Sequence, residues 1–140
     1  MQLGCGVGNT TIPLSEENTS AFVYCCDYSA VAIELLKADS RYNPDRMRAF
    51  VADITAPGSL SREVKAGSVD VATAIFVLSA NSAESLHHAA MELKAVLKPG
   101  TGTVVVRDYA AGDLAEERLA AQGHHRNLSE HLYSRGDGTW

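Results

Sequence analysis

The amino-terminal segment carries three glycines at alternate positions, Gly4, Gly6 and Gly8. In a helix each glycine would cost about 1 kcal/mol relative to alanine, and in a strand it would add no packing. Glycine suits instead a loop in which the backbone turns sharply and lets a ligand approach closely. The spacing therefore predicts a ligand-binding loop, and a plain strand-to-helix turn is the alternative.

Two aspartates follow this loop, each at the end of an apolar segment. Asp27 ends AFVYCCD, and Asp53 ends MRAFVAD. An acid after the second strand can accept hydrogen bonds from ribose hydroxyls, and a second acid can accept from an adenine amino group. Taken singly, either aspartate could be a capping or loop carboxylate. Together with the glycine loop they predict a site for an adenosine-containing ligand.

Two such ligands are compatible with a glycine loop followed by an acid. A dinucleotide site has the pattern G-x-G-x-x-G with an acid about 20 residues later. The loop that starts at Gly4 is one residue tighter than that pattern. S-adenosylmethionine (SAM) has no pyrophosphate. The backbone of a SAM-binding loop therefore only has to lie against the amino-acid and ribose parts of the ligand. The order of loop, acid and second acid favours SAM.

Strand-like and helix-like segments alternate along the chain. The strands are predicted at residues 1–3, 21–27, 47–53, 68–80 and 102–109, and helices at 9–17, after Ser29, within 82–100 and at 113–121. Apolar strands that alternate with helices predict a parallel sheet covered on both faces. Ligands of such sheets bind at the carboxyl ends of the strands, where the glycine loop and both aspartates fall.

The composition predicts one globular domain, residues 1–140. The chain has 46% apolar and 21% charged residues, and no apolar run is long enough to cross a bilayer. We therefore expect no membrane partner and a cytoplasmic location. The net charge of −5 argues against a broad basic surface that binds nucleic acid phosphates, although a local patch could still bind them.

Cysteine and histidine spacing gives no indication of a metal site. The three cysteines are Cys5, Cys25 and Cys26, and an odd count does not form a disulfide framework. Neighbouring residues in a strand point to opposite faces, so Cys25 and Cys26 cannot bind one ion together. The histidines lack the i, i+4 spacing of a helical zinc motif. We expect buried thiols in a reducing compartment and no metal.

Several segments resemble, in order, the methyltransferase-like proteins that make 3-methylcytidine in tRNA. They are LGCGVGNTTIPL, VYCCDYS, FVADIT, SVDVATAIFVLSA, LKAVLKPG, VVVRDYA and LSEHLYSRGDGT. The resemblance covers nearly the whole chain, and IFVLSA, RDY and LxExxYxRxDGT are its most specific parts. It implies a Rossmann-like class I SAM-dependent methyltransferase fold, with a doubly wound, mostly parallel sheet. It further implies SAM as cofactor, the tRNA anticodon loop as substrate and, as in some relatives, a tRNA synthetase as partner.

The resemblance also implies roles for individual residues. It assigns SAM binding to Gly4, Gly6, Asn9, Asp27, Tyr28, Asp53, Ile54 and Ile75, with Ile75 near the adenine. It assigns methyl transfer to Asp108, which would accept from the cytosine N4 amino group, and to Arg107, which would hold the O2 carbonyl or a phosphate. It assigns substrate contacts to Tyr109, Glu130, Tyr133 and Arg135. The alternatives are a surface ion pair for Arg107 and Asp108, and core positions for Ile75 and the tyrosines.

Compared with that family, the chain is short at both ends. The start of the first strand, a helical segment that closes over SAM and the last two strands are missing. We therefore expect an incomplete, five-stranded sheet, and a chain that alone binds SAM weakly and methylates no tRNA. The alternatives are a methyltransferase for another RNA or a small molecule, or an inactive truncated paralogue that binds SAM, RNA or a partner.

Overall fold

The computed structural model of the chain describes residues 1–121, 127–129 and 132–133. Helices and strands alternate through most of this range. In chain order the elements are β1 (Gln2–Leu3), α1 (Thr11–Glu17), β2 (Val23–Asp27), α2 (Ala30–Ala38), β3 (Met47–Val51), β4 (Val71–Ile75), a 3-10 turn (Leu78–Ala80), α3 (Ala83–Val96), β5 (Thr103–Arg107), α4 (Leu114–Ala121), β6 (Asn127–Ser129) and β7 (Leu132–Tyr133).

The first five strands form one parallel sheet in the order β3-β2-β1-β4-β5. The chain order reverses direction between β1 and β4, which makes this pair the topological switch point. Leu3 lies opposite Cys26 on one side and Ala74 on the other, so the carboxyl ends of the central strands are aligned. The predicted doubly wound parallel sheet is confirmed. β6 and β7 form a separate antiparallel pair.

The fourth strand ends earlier than the sequence predicts. The prediction that this strand continues to Ala80 is wrong, because β4 ends at Ile75 and the chain enters the 3-10 turn at Leu78. Phe76 causes this change of direction, since its φ of 52° is incompatible with an extended strand. The residues after β4 therefore leave the plane of the sheet and lie over the strand ends.

The core has two parts, one on each face of the sheet. Cys26 belongs to the cluster that includes Leu3, Leu60 and Val96, and Cys25 belongs to the cluster that includes Ile12 and Leu36. Both thiols are fully buried and unpaired. Their opposite directions confirm the prediction from strand alternation.

The capping and packing of the helices follow the sequence closely, with one exception. Ser29 accepts a hydrogen bond from the N–H of Ala32 at 3.2 Å, which confirms it as the cap of α2. In α3 the spacing of the apolar residues predicts that Ala90 lies on the buried face, but Ala90 is exposed and Glu92 is buried. The Glu92 carboxylate accepts from the N–H groups of Gly58 at 2.6 Å and Leu60 at 3.0 Å. It thereby fastens the segment between β3 and β4 to α3.

β5 lies at the end of the sheet with an exposed surface. All five of its residues are exposed, and its three valines are between 38% and 53% exposed. Within the described ranges no helix has the length and apolarity needed to span a membrane. The same ranges contain no cluster of three or more His, Cys, Asp or Glu side chains able to hold a metal ion.

Candidate active site

The glycine loop turns sharply between β1 and α1. Gly4 and Gly6 adopt φ angles of 58° and 52°, which favour glycine. A Cβ on Gly4 would lie 2.5 Å from Cγ2 of Val77, so Gly4 allows the turn after β4 to pack against the loop. A Cβ on Gly6 would meet no atom within 4 Å, so the backbone there faces open space. Among the described residues, nothing therefore covers the loop backbone at Gly6.

The Asp27 carboxylate connects this loop to the end of β2. Its Oδ2 accepts a hydrogen bond from the N–H of Gly6 at 2.8 Å, and its Oδ1 accepts from the N–H of Ser29 at 2.9 Å. A carboxylate has about four acceptor sites, so these two bonds leave capacity for further donors. Asp27 can therefore shape the loop and accept from ligand hydroxyls at the same time.

A cavity of about 440 Å³ lies over the carboxyl ends of the strands at the switch point. Its lining residues come from the ends of four strands, β1 to β4: Gly4, Asp27, Tyr28, Ala52, Asp53, Ile54, Thr55, Phe76, Val77, Ala80 and Asn81. Asp53 bends the chain after β3, because its Oδ1 accepts from the N–H of Thr55 at 2.9 Å and from its hydroxyl at 2.6 Å. Oδ2 of Asp53 makes neither of these bonds and can accept from a ligand.

The lining of this cavity fits SAM. Asp27 offers an acceptor for a ribose diol, and Asp53 offers one for an exocyclic amine. Ile54 and Val77 add apolar surface that suits a purine ring. The volume lies within the usual range of small-molecule sites. When bound, SAM would supply a methyl group on a positively charged sulfur.

The structure brings most of the predicted cofactor residues together. Gly4, Asp27, Tyr28, Asp53 and Ile54 line the cavity, and Gly6 adjoins it through its bond to Asp27. Asn9 lies exposed in the turn before α1, outside the lining.

Ile75 is also absent from the lining of this cavity. It is the last residue of β4, and alternation puts its neighbour Ala74 in the core on the opposite face. Phe76 and Val77 line the cavity instead, because the positive φ of Phe76 turns them over the strand ends. Neither residue was predicted from the sequence to line the site.

A second, larger cavity of about 900 Å³ adjoins the first, and Asn81 lines both. Its walls are the 3-10 turn, the start of α3, the segment after β5 and α4. Asp108, Tyr109 and Tyr133, all predicted to act on or bind the substrate, lie in this lining. The predicted substrate residues Glu130 and Arg135 lie outside the described residues. The arrangement places an acceptor cavity beside the cofactor cavity.

Asp108 holds the 3-10 turn in place. Its Oδ2 accepts from the N–H groups of Leu78 at 3.0 Å and Ser79 at 3.1 Å, and its Oδ1 accepts from the N–H of Tyr109 at 2.9 Å. Burial by itself would raise the pKa of this carboxyl, but the hydrogen bonds, from Ser79 first, outweigh it and lower the pKa. Asp108 is thus an ionised carboxylate at the wall of the larger cavity.

Arg107 and Tyr109 both contact the ring of Phe76. The guanidinium carbon of Arg107 lies 5.1 Å from the centre of that ring, and the Tyr109 ring lies 5.0 Å away at 40°. The N–H of Phe76 also donates to the carbonyl of Arg107 at 2.8 Å. The Arg107 side chain therefore stacks on Phe76, at the boundary of the cofactor cavity. Phe76 was not among the site residues predicted from the sequence.

Two solved structures with a similar fold are named as methyltransferases. The SAM-dependent methyltransferase from Methanosarcina mazei has a TM-score of 0.72 at 16% identity over 97% of this chain and 66% of that one. A Streptomyces coelicolor geranyl diphosphate C-methyltransferase, solved with S-adenosyl-L-homocysteine, has a TM-score of 0.61 at 18% identity over 75% of this chain and 36% of that one. These likenesses confirm the class I SAM-dependent methyltransferase fold.

The sequence relatives are closer but much longer. The chain is 43% identical to tRNA N(3)-cytidine methyltransferase METTL2 of Xenopus tropicalis, 45% to its Mus musculus counterpart and 42% to tRNA N(3)-methylcytidine methyltransferase trm141 of Schizosaccharomyces pombe. Each match covers 99% of this chain, which spans 40%, 35% and 55% of the respective relatives. The family model described as "Methyltransferase domain" matches residues 1–103. The chain therefore belongs to the methyltransferase domain family.

Proposed function

We propose that this chain carries the catalytic site of a SAM-dependent tRNA methyltransferase that acts on N3 of cytosine in the anticodon loop. The two adjoining cavities at the strand ends carry the proposal, since one suits a methyl donor and the other places Asp108 and Tyr109 beside it. Identities of 40–45% to proteins named as tRNA N(3)-cytidine methyltransferases support the choice of base.

Methyl transfer to N3 of cytosine depends on the alignment of the reacting groups and does not need a strong general base. N3 of cytosine carries an in-plane lone pair and is mostly unprotonated at pH 7, so it can attack the methyl carbon of the donor directly. The N–C bond would form as the methyl–sulfur bond breaks, with S-adenosylhomocysteine as the leaving group and the positive charge left on the methylated cytosine. The protein has to bring the nucleophile in line with the donor and exclude water. In a duplex N3 is paired, so the target cytosine must be unpaired or flipped out, as an anticodon-loop base is.

The residues of the two cavities suit these tasks. Asp27 and Asp53 would orient the donor through its ribose and adenine, which fixes the position of its sulfur. Asp108 is an ionised acceptor at the wall of the second cavity and would accept from the N4 amino group of the base. Its three backbone hydrogen bonds hold the carboxylate in a fixed orientation, as recognition requires.

Binding of a whole tRNA requires more positive surface than this chain offers. Its net charge is −5, so the chain has too few positive side chains in excess to neutralise a run of tRNA phosphates. We therefore include in the proposal a further positively charged surface, supplied by additional chain or by a partner such as a tRNA synthetase. A cytoplasmic location is part of the same proposal.

A chimera tests the function directly. In it, this chain replaces the 141 matching residues of the Xenopus tropicalis METTL2 relative. Incubated with labelled SAM and deproteinised tRNA, it should produce 3-methylcytidine at an anticodon-loop position, mapped by mass spectrometry. A chimera that binds SAM but labels no cytosine, while the parent relative does, would refute the proposal. Titration calorimetry of the chain with SAM and NAD checks the ligand, and tighter NAD binding would contradict it.

A further inference from the structure

Phe76 holds an unusual backbone conformation at the boundary of the cofactor cavity. Among the described residues it is the non-glycine residue with a positive φ, at 52°. Residues with a β-carbon rarely adopt this region, and they do so when surrounding contacts over-determine the conformation. The contacts that hold Phe76 therefore indicate the function of this unusual conformation.

Arg107 and Tyr109, at the end of β5, contact Phe76 itself, and Asp108 between them contacts the turn that follows Phe76. The carbonyl of Arg107 accepts from the N–H of Phe76, and the Arg107 guanidinium lies over the ring. The ring of Tyr109 lies against the same ring. Asp108, between them, accepts from the N–H groups of Leu78 and Ser79. The turn after β4 is thus fastened to the end of β5 on both sides of Phe76.

This fastening presents the Phe76 ring where the two cavities meet. Phe76 lines the cofactor cavity, and its stacking partner Tyr109 lines the adjoining cavity. The side chain is 43% exposed, although an aromatic ring of this size is usually buried in a core. An exposed ring beside a methyl donor offers a stacking surface to an incoming base.

We propose that Phe76 contacts the acceptor base in the proposed methyl transfer, and that Arg107 positions the Phe76 ring instead of binding the base or a phosphate. The inference deepens the proposed function and rests on it. A guanidinium over an aromatic face is attracted by the ring electrons, and it limits the rotation of the ring. Arg107 thereby acts on the reaction through Phe76.

A double-mutant cycle in the chimera tests this coupling. Phe76→Leu removes the ring, Arg107→Gln removes the cation, and the double variant removes both. We expect each single variant to lower kcat about tenfold, the scale of base–aromatic stacking, with SAM affinity changed by less than about threefold. The double variant should be no slower than the slower single variant, within about threefold. Arg107→Lys should restore part of kcat, because an ammonium can also lie over the ring.

Two further variants distinguish the positioning role of Arg107 from general effects of substitution on charge and on folding. Arg48→Gln removes another exposed arginine at a strand residue, one that pairs with Glu63 away from both cavities, and should leave kcat unchanged. Where Phe76→Leu fails to fold, Phe76→Gly replaces it in the cycle, because glycine adopts the same φ without strain. The expectation for the cycle is the same.

The outcomes are distinct. Effects on kcat that multiply in the double variant would overturn the inference. So would an Arg107→Gln variant with unchanged kcat, a raised KM for tRNA and a weaker salt dependence, which would make Arg107 a phosphate ligand. An unsubstituted chimera that binds SAM but methylates no cytosine would instead refute the proposed function, and the inference with it.

Discussion

The carboxylate of Asp27 accepts a hydrogen bond at 2.8 Å from the backbone N–H of Gly6, 21 residues earlier in the chain. This bond joins the end of β2 to the glycine loop at the point where the loop faces open space. The same carboxylate lines the cofactor cavity. Loop shape and ligand binding therefore depend on one side chain.

Substitution of Asp27 by alanine should weaken SAM binding strongly. The variant loses an acceptor for ribose hydroxyls and the bond that shapes the loop, so we expect a cost on the order of 2–4 kcal/mol in binding free energy, the scale of charged hydrogen bonds. Titration calorimetry measures it. Asp39→Ala is the matched control, because Asp39 pairs with Arg41 on the surface and should leave affinity unchanged. Unchanged affinity in a folded Asp27→Ala variant would mean that Asp27 does not contact SAM.

Asp108→Asn should separate cofactor binding from methyl transfer. An amide keeps the size of the side chain but turns a donor toward one of the three backbone N–H groups that Asp108 now accepts from. We expect SAM affinity to be retained and methylation by the chimera to fall at least about tenfold, the loss of a charged hydrogen bond. Loss of SAM binding together with activity would assign Asp108 a purely structural role.

The Asp108 carboxyl should remain ionised over the physiological pH range. Its pKa is lowered in the folded chain, so its contribution to stability is present above the ordinary value of about 3.9 and is lost as the pH falls through the lower folded-state value. Titration of the carboxyl carbon by NMR should therefore give a midpoint below 3.9. Asp39, whose pKa the side chain of Arg41 lowers to about 2, serves as an internal reference. A midpoint above 4 for Asp108 would contradict the hydrogen-bond arrangement.

Glu92→Ala should destabilise the fold without changing any group in either cavity. The substitution leaves the N–H groups of Gly58 and Leu60 without their acceptor in a mostly buried place, which should cost about 2–4 kcal/mol in the free energy of unfolding. Chemical denaturation followed by circular dichroism measures the loss. Glu34→Ala, at an exposed position of α2, should change stability by less than about 0.5 kcal/mol. Equal effects of the two substitutions would contradict the anchoring role.

The exposed β5 strand should make the isolated chain self-associate. Its three valines are exposed, and an apolar edge strand offers unpaired backbone groups to another copy. Val105→Lys should reduce association in sedimentation velocity experiments, because a charge on an edge strand opposes strand pairing. Val31→Lys, which removes an exposed valine from α2, should have little effect. An equal reduction by both would indicate general apolar contacts instead of pairing at β5.

The sheet and most of the cofactor cavity could be predicted from the sequence for a simple physical reason. Each buried parallel strand is an apolar run, and the polar residue that ends it marks the edge at which ligands bind. Asp27 and Asp53 were found in this way, and the register of the strands brings them to one cavity. The direction of Cys25 and Cys26 followed from strand alternation in the same manner.

The wall formed by Phe76 could not be predicted, because nothing local indicates it. The run VATAIFVLSA is rich in β-branched and aromatic residues, which favour a strand, and it contains no glycine or proline that would end one. The positive φ of Phe76 depends on contacts with Arg107 and Tyr109, about 30 residues later in the chain. The anchoring of the 3-10 turn by Asp108 is equally non-local, and so was missed.

Two of the three glycines of the loop, Gly4 and Gly6, are under different evolutionary constraints. A Cβ at Gly4 would collide with Val77 on a left-handed backbone, so a substitution there requires Val77 to move or change, whether or not the chain binds a ligand. Gly6 has free space around its α-carbon, and asparagine or aspartate can adopt its left-handed backbone. In a lineage whose proteins no longer bind the ligand, we expect Gly6 to be substituted before Gly4. Among descendants of this chain, the residue at position 6 is therefore the marker of a functioning site.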